Sequence, residues 1–404
     1  MNFKLKHSGL SICFMFSAIV GHSQVLKTMK KLPDTGQNTS YTNTFGEDND
    51  YSINVPVFKQ VGNGSVLDTI TGLVWQMTDG GEMTVENASN YCDTLNLNGK
   101  NDWRLPYAAE LFSIQYLQNN NPTLNTTYFT KTGAEYWWSS NKQSNDASKV
   151  WCTNAGGGIG NHPKAETISA GGTKKFHARC VRTDVAPKII SQRFTNVGDS
   201  SVLDSLTLLE WQIFPVETSK VWEDALLYSE NLVLDGHSDW RLPNIKELHS
   251  LNDESRVSPS VNTSIFKFGV RKFWSSTSLP NQTTKAWYFE TNYGITTYEL
   301  KTNPLYLICV RNHTTTNSVG IQNPAKNRFE IISENPANQQ LEFTLNDAQN
   351  CKMIDLLGHI VLDKTLDQTS LNHSIETSQL LDGIYVLIVN TASNQLRKTI
   401  VIKH

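Results

Sequence analysis

Beyond its first two dozen residues the chain has no apolar run that approaches the length of a membrane span, and it has no long run of like charge. Lys and Arg number 35 against 38 Asp and Glu, for a formal charge of -3. This argues against nucleic acid or an anionic membrane as partner, because both require a clustered basic surface. G-x-S-x-G, H-E-x-x-H and a glycine-rich phosphate loop are all missing, which removes the common signatures of serine hydrolases, zinc peptidases and nucleotide-binding enzymes. His162, His177, His237 and His249 lie scattered without metal-ligand spacing, so each reads as a surface or core residue. No catalytic residue, metal ligand or cofactor is expected.

What is present begins with an export signal. Lys4 and Lys6 precede an apolar stretch from Leu10 to Val20, followed by the small residues Gly21 and Ser23. The stretch is too short to span a bilayer and reads as a signal peptide over residues 1–23. Ile12 before Cys13 argues against lipoprotein processing. Loss of Cys13 leaves five cysteines in an oxidising compartment; Cys92 and Cys180 can pair, which leaves Cys152, Cys309 and Cys351 over. Aromatics at 10%, ten of them Trp, suit β-rich extracellular domains.

The chain also repeats itself. VLDTITGLVWQ from Val66 returns as VLDSLTLLEWQ from Val202, DWRLP from Asp102 returns from Asp239, WSS from Trp138 returns from Trp274, and CVR from Cys180 returns from Cys309. Units of this size can each own a hydrophobic core, unlike the short repeats of solenoids, and predict two sister domains. In each, a hairpin turns at a position such as Thr71-Gly72 and a first helix follows. Val85, Ala88, Tyr91, Cys92 and Leu95 share one face of that helix, with Thr84 as N-cap and Gly99 as stop; Trp222, Ala225, Tyr228 and Leu232 do the same in the second copy. A short second helix follows Pro106 and Pro243. Aromatic and β-branched strands then run to the CVR block. Trp75, Trp103, Trp138, Trp211, Trp240 and Trp274 read as fold-defining core residues. Arg104 and Arg241 read as internal ties to a carboxylate such as Asp102 or Glu110 and their equivalents.

The ordered set W-Q, Y-C, D-W-R-L-P, E-L, W-S-S and C-V-R resembles the Lcl C-terminal domain family, named for a bacterial collagen-like adhesin, whose fold is similar to C-type lectins. The resemblance implies a disulfide between the first helix and the last strand, which in repeat one falls on Cys92 and Cys180; Cys152 is a competing partner for Cys180. Repeat two has Ser229 at the helix position, so Cys309 loses its partner and reads as a small buried hydrophobe. Sugar-binding C-type lectins use calcium held by E-P-N or Q-P-D and W-N-D loops. Neither repeat carries them, so no calcium site is expected, and Asp146, Glu166, Glu290 and Glu299 read as solvated acids. Formylglycine-generating enzymes share the fold but rely on a cysteine pair that repeat two lacks.

The loops differ most between the copies, and they hold the candidate ligand-facing residues: Asn141, Asn145, Asn154, Asn161 and His162 in repeat one, Asn281, Asn292 and Tyr293 in repeat two. The glycines of NAGGGIGNHPK, from Asn154 to Lys164, would let a backbone approach a ligand or form a flexible turn. After a polar joint from Asn312 to Asn327, short alternating strands begin at Phe329. Asn335-Pro336, Asp355-Leu356-Leu357-Gly358, LLDGIY from Leu380 and KTIVIKH from Lys398 resemble the type A sorting domain of the type IX (Por) secretion system. That resemblance implies the secretion machinery as a partner and delivery to the medium or the outer-membrane surface.

The expected fold class is α+β: two C-type-lectin-like domains, each with two helices and antiparallel sheet, followed by an all-β immunoglobulin-like sandwich. The expected order is signal peptide 1–23, linker 24–56, first domain 57–184, second domain 189–312, linker 313–327 and sorting domain 328–404. The functional expectation is a surface adhesin with two weak glycan or extracellular-polymer sites that gain from avidity. The alternatives are a structural envelope component or an enzyme on the same fold.

Overall fold

The computed structural model describes residues 25–166, 175–313, 330–331, 337–345, 348–355, 359–391 and 395–404. The signal peptide, Cys13, nearly all of the 313–327 linker, Asn335-Pro336 and Leu356-Leu357-Gly358 lie outside the described residues. The described chain is mostly β with few helices, and its sheets are largely antiparallel.

The first strand, β1 (Val25–Lys27), is followed by a single 3-10 turn at Asp48–Asp50. Repeat one then contributes β2 (Phe58–Gln60), β3 (Ser65–Asp68), β4 (Leu73–Gln76), α1 (Val85–Thr94), α2 (Ala108–Ser113), β5 (Tyr136–Gln143), β6 (Asp146–Asn154), β7 (Ile159–Pro163), β8 (Phe176–His177) and β9 (Val181–Thr183). β10 (Lys188–Ile190) lies between the repeats and pairs with β1. Repeat two supplies β11 (Phe194–Asn196), β12 (Ser201–Asp204), β13 (Leu209–Gln212), α3 (Trp222–Glu230), α4 (Ile245–His249), β14 (Lys272–Ser278), β15 (Lys285–Glu290), β16 (Ile295–Leu300) and β17 (Val310–Asn312).

Local chemistry accounts for these elements. Thr84 caps α1 by accepting from the amide of Asn87, which satisfies a donor that the first helical turn leaves free. The helix stops at Leu95; Gly99, at φ +69°, belongs to the turn that follows rather than to the helix end. In each repeat the CVR strand closes against the WQ strand, giving the matched sheets β2-β3-β4-β9 and β11-β12-β13-β17. The six repeated tryptophans are at most 3% exposed. Arg104 holds Glu110 through two hydrogen bonds of 2.8 and 2.7 Å, and Arg241 holds Glu247 likewise at 2.7 and 2.6 Å. Asp102 and Asp239 are not their partners: these bond Arg182 and Arg311 of the CVR blocks. Cys92 and Cys180 form a disulfide, and Cys152 is free and buried. In repeat two the Cys309 thiol lies 3.4 Å from the Ser229 hydroxyl.

The repeats do not hang as separate beads. One seven-stranded sheet runs β14-β15-β16-β7-β6-β5-β8, so strands of repeat two continue into those of repeat one where Thr296 pairs with Ile159. One core cluster joins Phe112, Leu117, Trp151 and Ile159 of the first repeat to Leu248, Trp287 and Phe289 of the second. The glycine-rich loop makes this contact possible: a Cβ on Gly157 (φ +96°) would lie 2.7 Å from the Trp287 ring, and one on Gly158 2.9 Å from the carbonyl of Thr296. Glycine here serves close approach between the repeats.

Residues 28–56, read from sequence as part of a linker, form a strap that lies against both repeats and is buried at Pro33–Gln37 and Gly46–Asp48. Asp48 accepts from the hydroxyls of Thr35 at 2.6 Å and Thr277 at 2.7 Å. Glu47 accepts from Gln37 and Ser278, and Lys246 donates to the carbonyls of Asp34 and Ser113. Polar residues such as Thr35, Gln37, Glu47 and Asp48 can be buried in this way because each finds hydrogen-bond partners.

The tail forms two further sheets. One holds β18 (Glu330–Ile331), β19 (Gln340–Thr344) and β22 (Asn372–Glu376); the other holds β20 (Ala348–Ile354), β21 (Ile360–Thr365), β23 (Gly383–Thr391) and β24 (Gln395–Ile402). Leu341, Phe343, Met353, Leu387 and Ile400 make their common core.

Candidate functional site

A cleft of about 840 Å³ opens where the two repeats meet the N-terminal strap. The short helices α2 and α4 stand at its base, related by the duplication: Phe112 of one faces His249 of the other, ring centroids 5.0 Å apart. Tyr107, Asn141 and Glu110 reach it from repeat one, Arg193, His249 and Glu254 from repeat two and the connector, Lys27 from β1 and Lys31 from the strap.

Most of its charges are already matched. Glu110 is held by Arg104 and also accepts from the amide of Tyr107 at 2.8 Å. Arg193 bonds Asp204 and the carbonyl of Ser250, and Arg256 bonds Asp253 at 3.0 Å. His249 is 4% exposed, its Nε2 has no hydrogen-bond partner, and burial lowers its pKa to about 4, so the ring is neutral at physiological pH. Glu254 forms no ion pair among the described residues. Burial, reinforced by Asp253 and Glu110 and opposed by the nearby Asn141 side chain, raises its carboxyl to about 7. Asn141 also caps α2 by accepting from the amide of Ala108 at 2.7 Å; in repeat two the hydroxyl of Thr277 performs the same task on Ile245.

Protonation of Glu254 gives a measurable pH dependence. Its folded pKa lies above the ordinary 4.5, so folding takes up a proton between about pH 4.5 and 7, and this contribution to stability is lost as pH rises through that window. His249 acts in the opposite sense, since its depressed pKa costs stability as pH falls below its ordinary 6.5. Glu254→Gln should therefore raise the thermal midpoint relative to the parent at pH 8 and leave it nearly unchanged at pH 5; equal shifts at both values would refute the assignment.

Of the loop residues singled out from sequence, only Asn141 lines the cleft. Asn145 accepts from Gln143, Asn154 accepts from the amide of Gly156 at the repeat junction, and Asn161 pairs with Trp151 inside the sheet. His162 lies against Tyr136 and Phe176 and 3.2 Å from Glu166. Asn292 accepts from Ser258, Tyr293 is exposed at φ +68°, and Asn281 is exposed on another loop. His249 and Glu254 carried no sequence signal as a pair; only comparison of the copies marks them, since Phe112 and Leu117 stand at the same places in repeat one.

A second polar cluster lies inside repeat one. Asp79 is bonded by His177 at 2.8 Å, Trp137 at 3.0 Å and Thr132, with Arg179 at 3.4 Å. Burial opposes ionisation of Asp79, yet these donors together hold its carboxyl down at about 2. His177 and Asp79 are nearly inaccessible, so the cluster ties strands rather than facing solvent. Among the described residues no group of three or more His, Cys, Asp or Glu side chains could hold a metal ion.

The matched sheets, paired helices and disulfide agree with the comparison against known families. The Lcl C-terminal domain family matches residues 64–182 and again 200–311, more than half of the chain. The chain belongs to that family. Behind its two Lcl domains, residues 323–403 match the secretion system C-terminal sorting domain. Together the Lcl domains and the sorting domain mark a protein that engages the type IX secretion machinery and is secreted or held at the cell surface. No curated protein matches the chain, and no helix among the described residues is long and apolar enough to cross a membrane.

Proposed function

We propose that this chain is a surface recognition protein without catalytic activity, whose two Lcl domains bind glycan or another extracellular polymer. In this reading each Lcl domain is a C-type-lectin-like module, residues 1–23 are a removed leader, and the tail is an immunoglobulin-like type A sorting domain cleaved after translocation. The observation that carries the reading is the cleft between the repeats: its size suits a ligand, and most of its charges are paired with one another instead of forming a nucleophile and base. The shared cleft favours one site per chain over the two weak sites that the duplication suggests.

The test is binding of the chain, leader omitted, to an array of glycans and matrix proteins with and without EDTA. Specific binding that survives EDTA is expected. Loss of binding in EDTA would reinstate a metal-dependent lectin, and silence across the array would shift the case to a structural or enzymatic role.

A further inference from the structure

β1 and β10 form a sheet of their own. Only three register pairs hold it, Val25 with Ile190, Leu26 with Ile189 and Lys27 with Lys188, and among the described residues no third strand lies on either side. An isolated two-stranded ribbon has marginal stability in water. β10 adds little burial to it: Lys188 and Ile189 are exposed, Ile189 by 65%. Charge works against the pairing as well. Lys27 stands directly opposite Lys188, and like charges at facing positions of an antiparallel pair are destabilising. Asp204, whose charge acts on Lys27, is already held by Arg193 at 3.0 and 2.7 Å, and neither lysine forms an ion pair among the described residues.

The ribbon belongs to the cleft wall. Lys27, Thr28 and Met29 at the end of β1 and Ser191, Gln192 and Arg193 just past β10 all line the cleft. Each strand is anchored immediately beyond it. The amide of Lys30 donates to the carbonyl of Thr71 at 2.8 Å, and Arg193 bonds Asp204 and the carbonyl of Ser250. Three weak pairs thus lie beside two firm anchors, and segments with few buried apolar contacts are those that open locally.

We infer that the β1–β10 ribbon is a gate: β1 peels from β10 about the Lys30 anchor, promoted by the Lys27–Lys188 repulsion, and so widens the way into the cleft. The inference concerns access and goes beyond the recognition reading, since it holds whatever ligand the cleft takes.

Two measurements on the full chain, leader omitted, test it, with thermal unfolding showing that each variant stays folded. Hydrogen exchange over residues 25–29 and 187–191 should slow about 5-fold in Lys188→Glu, which turns the facing pair into opposite charges. Raising the salt concentration should slow it in the parent and not in that variant, because screening relieves only a repulsion. For access, Ser113→Cys places a thiol on a cleft residue that is 2% exposed, in a chain whose free cysteines are all buried. Adding Val25→Cys and Ile190→Cys and oxidising them locks the ribbon at a register pair. Alkylation of the residue-113 thiol should then slow about 10-fold and recover when reductant reopens the bridge. Exchange indifferent to both the charge reversal and salt, alkylation that the bridge leaves unchanged, or failure of the bridge to form would each overturn the gate.

Discussion

Lys246→Met should cost about 3 to 5 kcal/mol of stability, the scale at which a buried charge network loses one partner. The ammonium is 1% exposed, and it donates to Asp34 O at 2.8 Å in the strap and to Ser113 O at 2.7 Å in repeat one, while its own backbone belongs to α4 of repeat two. One side chain thus fastens three parts of the chain. Burial lowers its pKa to about 8, against the pull of Asp34, Asp68 and Asp48. Burial and the nearby Glu247 raise Asp34 to about 6, and burial with Asp34 pushes Asp48 well above the usual carboxylate range. Methionine keeps the volume but leaves two carbonyls unbonded and these carboxylates without their cation. Urea unfolding would read the loss, and limited proteolysis should find residues 28–56 newly cleavable. An unchanged midpoint with an intact strap would mean that the strap holds without this anchor.

The second large effect concerns the disulfide. Cys92 and Cys180 are 88 residues apart, and in the loop-entropy account closure of such a loop contributes about 4 to 5 kcal/mol. Cys92→Ala with Cys180→Ala should lower unfolding stability by that order, and reductant should bring the parent down towards the variant. Repeat two offers the converse. Ser229 and Cys309 already touch at 3.4 Å across 80 residues, so Ser229→Cys should form a second bridge and raise stability by about 3 to 4 kcal/mol. Mass spectrometry that finds both thiols free after oxidation would show that the two helix-to-strand contacts differ in geometry.

Several features of this molecule are legible in the residues themselves. Thr84 as a cap, the helical face of Val85, Ala88 and Cys92, the buried tryptophans and an internal carboxylate tie for Arg104 follow from local pattern, because helix periodicity and side-chain pairing act over a few residues; that the carboxylate is Glu110 and not Asp102 is decided by the fold. The strap is not legible. Asp34, Thr35, Gln37, Glu47 and Asp48 have the composition of a solvated linker, and their partners Thr277 and Ser278 lie more than 220 residues away. The glycine-rich loop reads either as an approach to a ligand or as a flexible turn, and Trp287 fills the space beside Gly157.

By itself the sequence determined that the chain is duplicated, that each copy repeats the blocks of an Lcl domain, that repeat two has Ser229 where repeat one has Cys92, and that a sorting domain follows the two copies; that Cys180 and not Cys152 takes Cys92 was settled by the structure. Tertiary structure alone decided that the copies share one sheet and one of their core clusters, that the strap packs against both, and that Asn141 and Glu254 line one cleft. The physical reason is the same throughout: local pattern states which face of an element is apolar, but not which other face it meets. At the cleft the two copies differ, with Asn141 where repeat two has Thr277 and Glu254 where repeat one has Leu117.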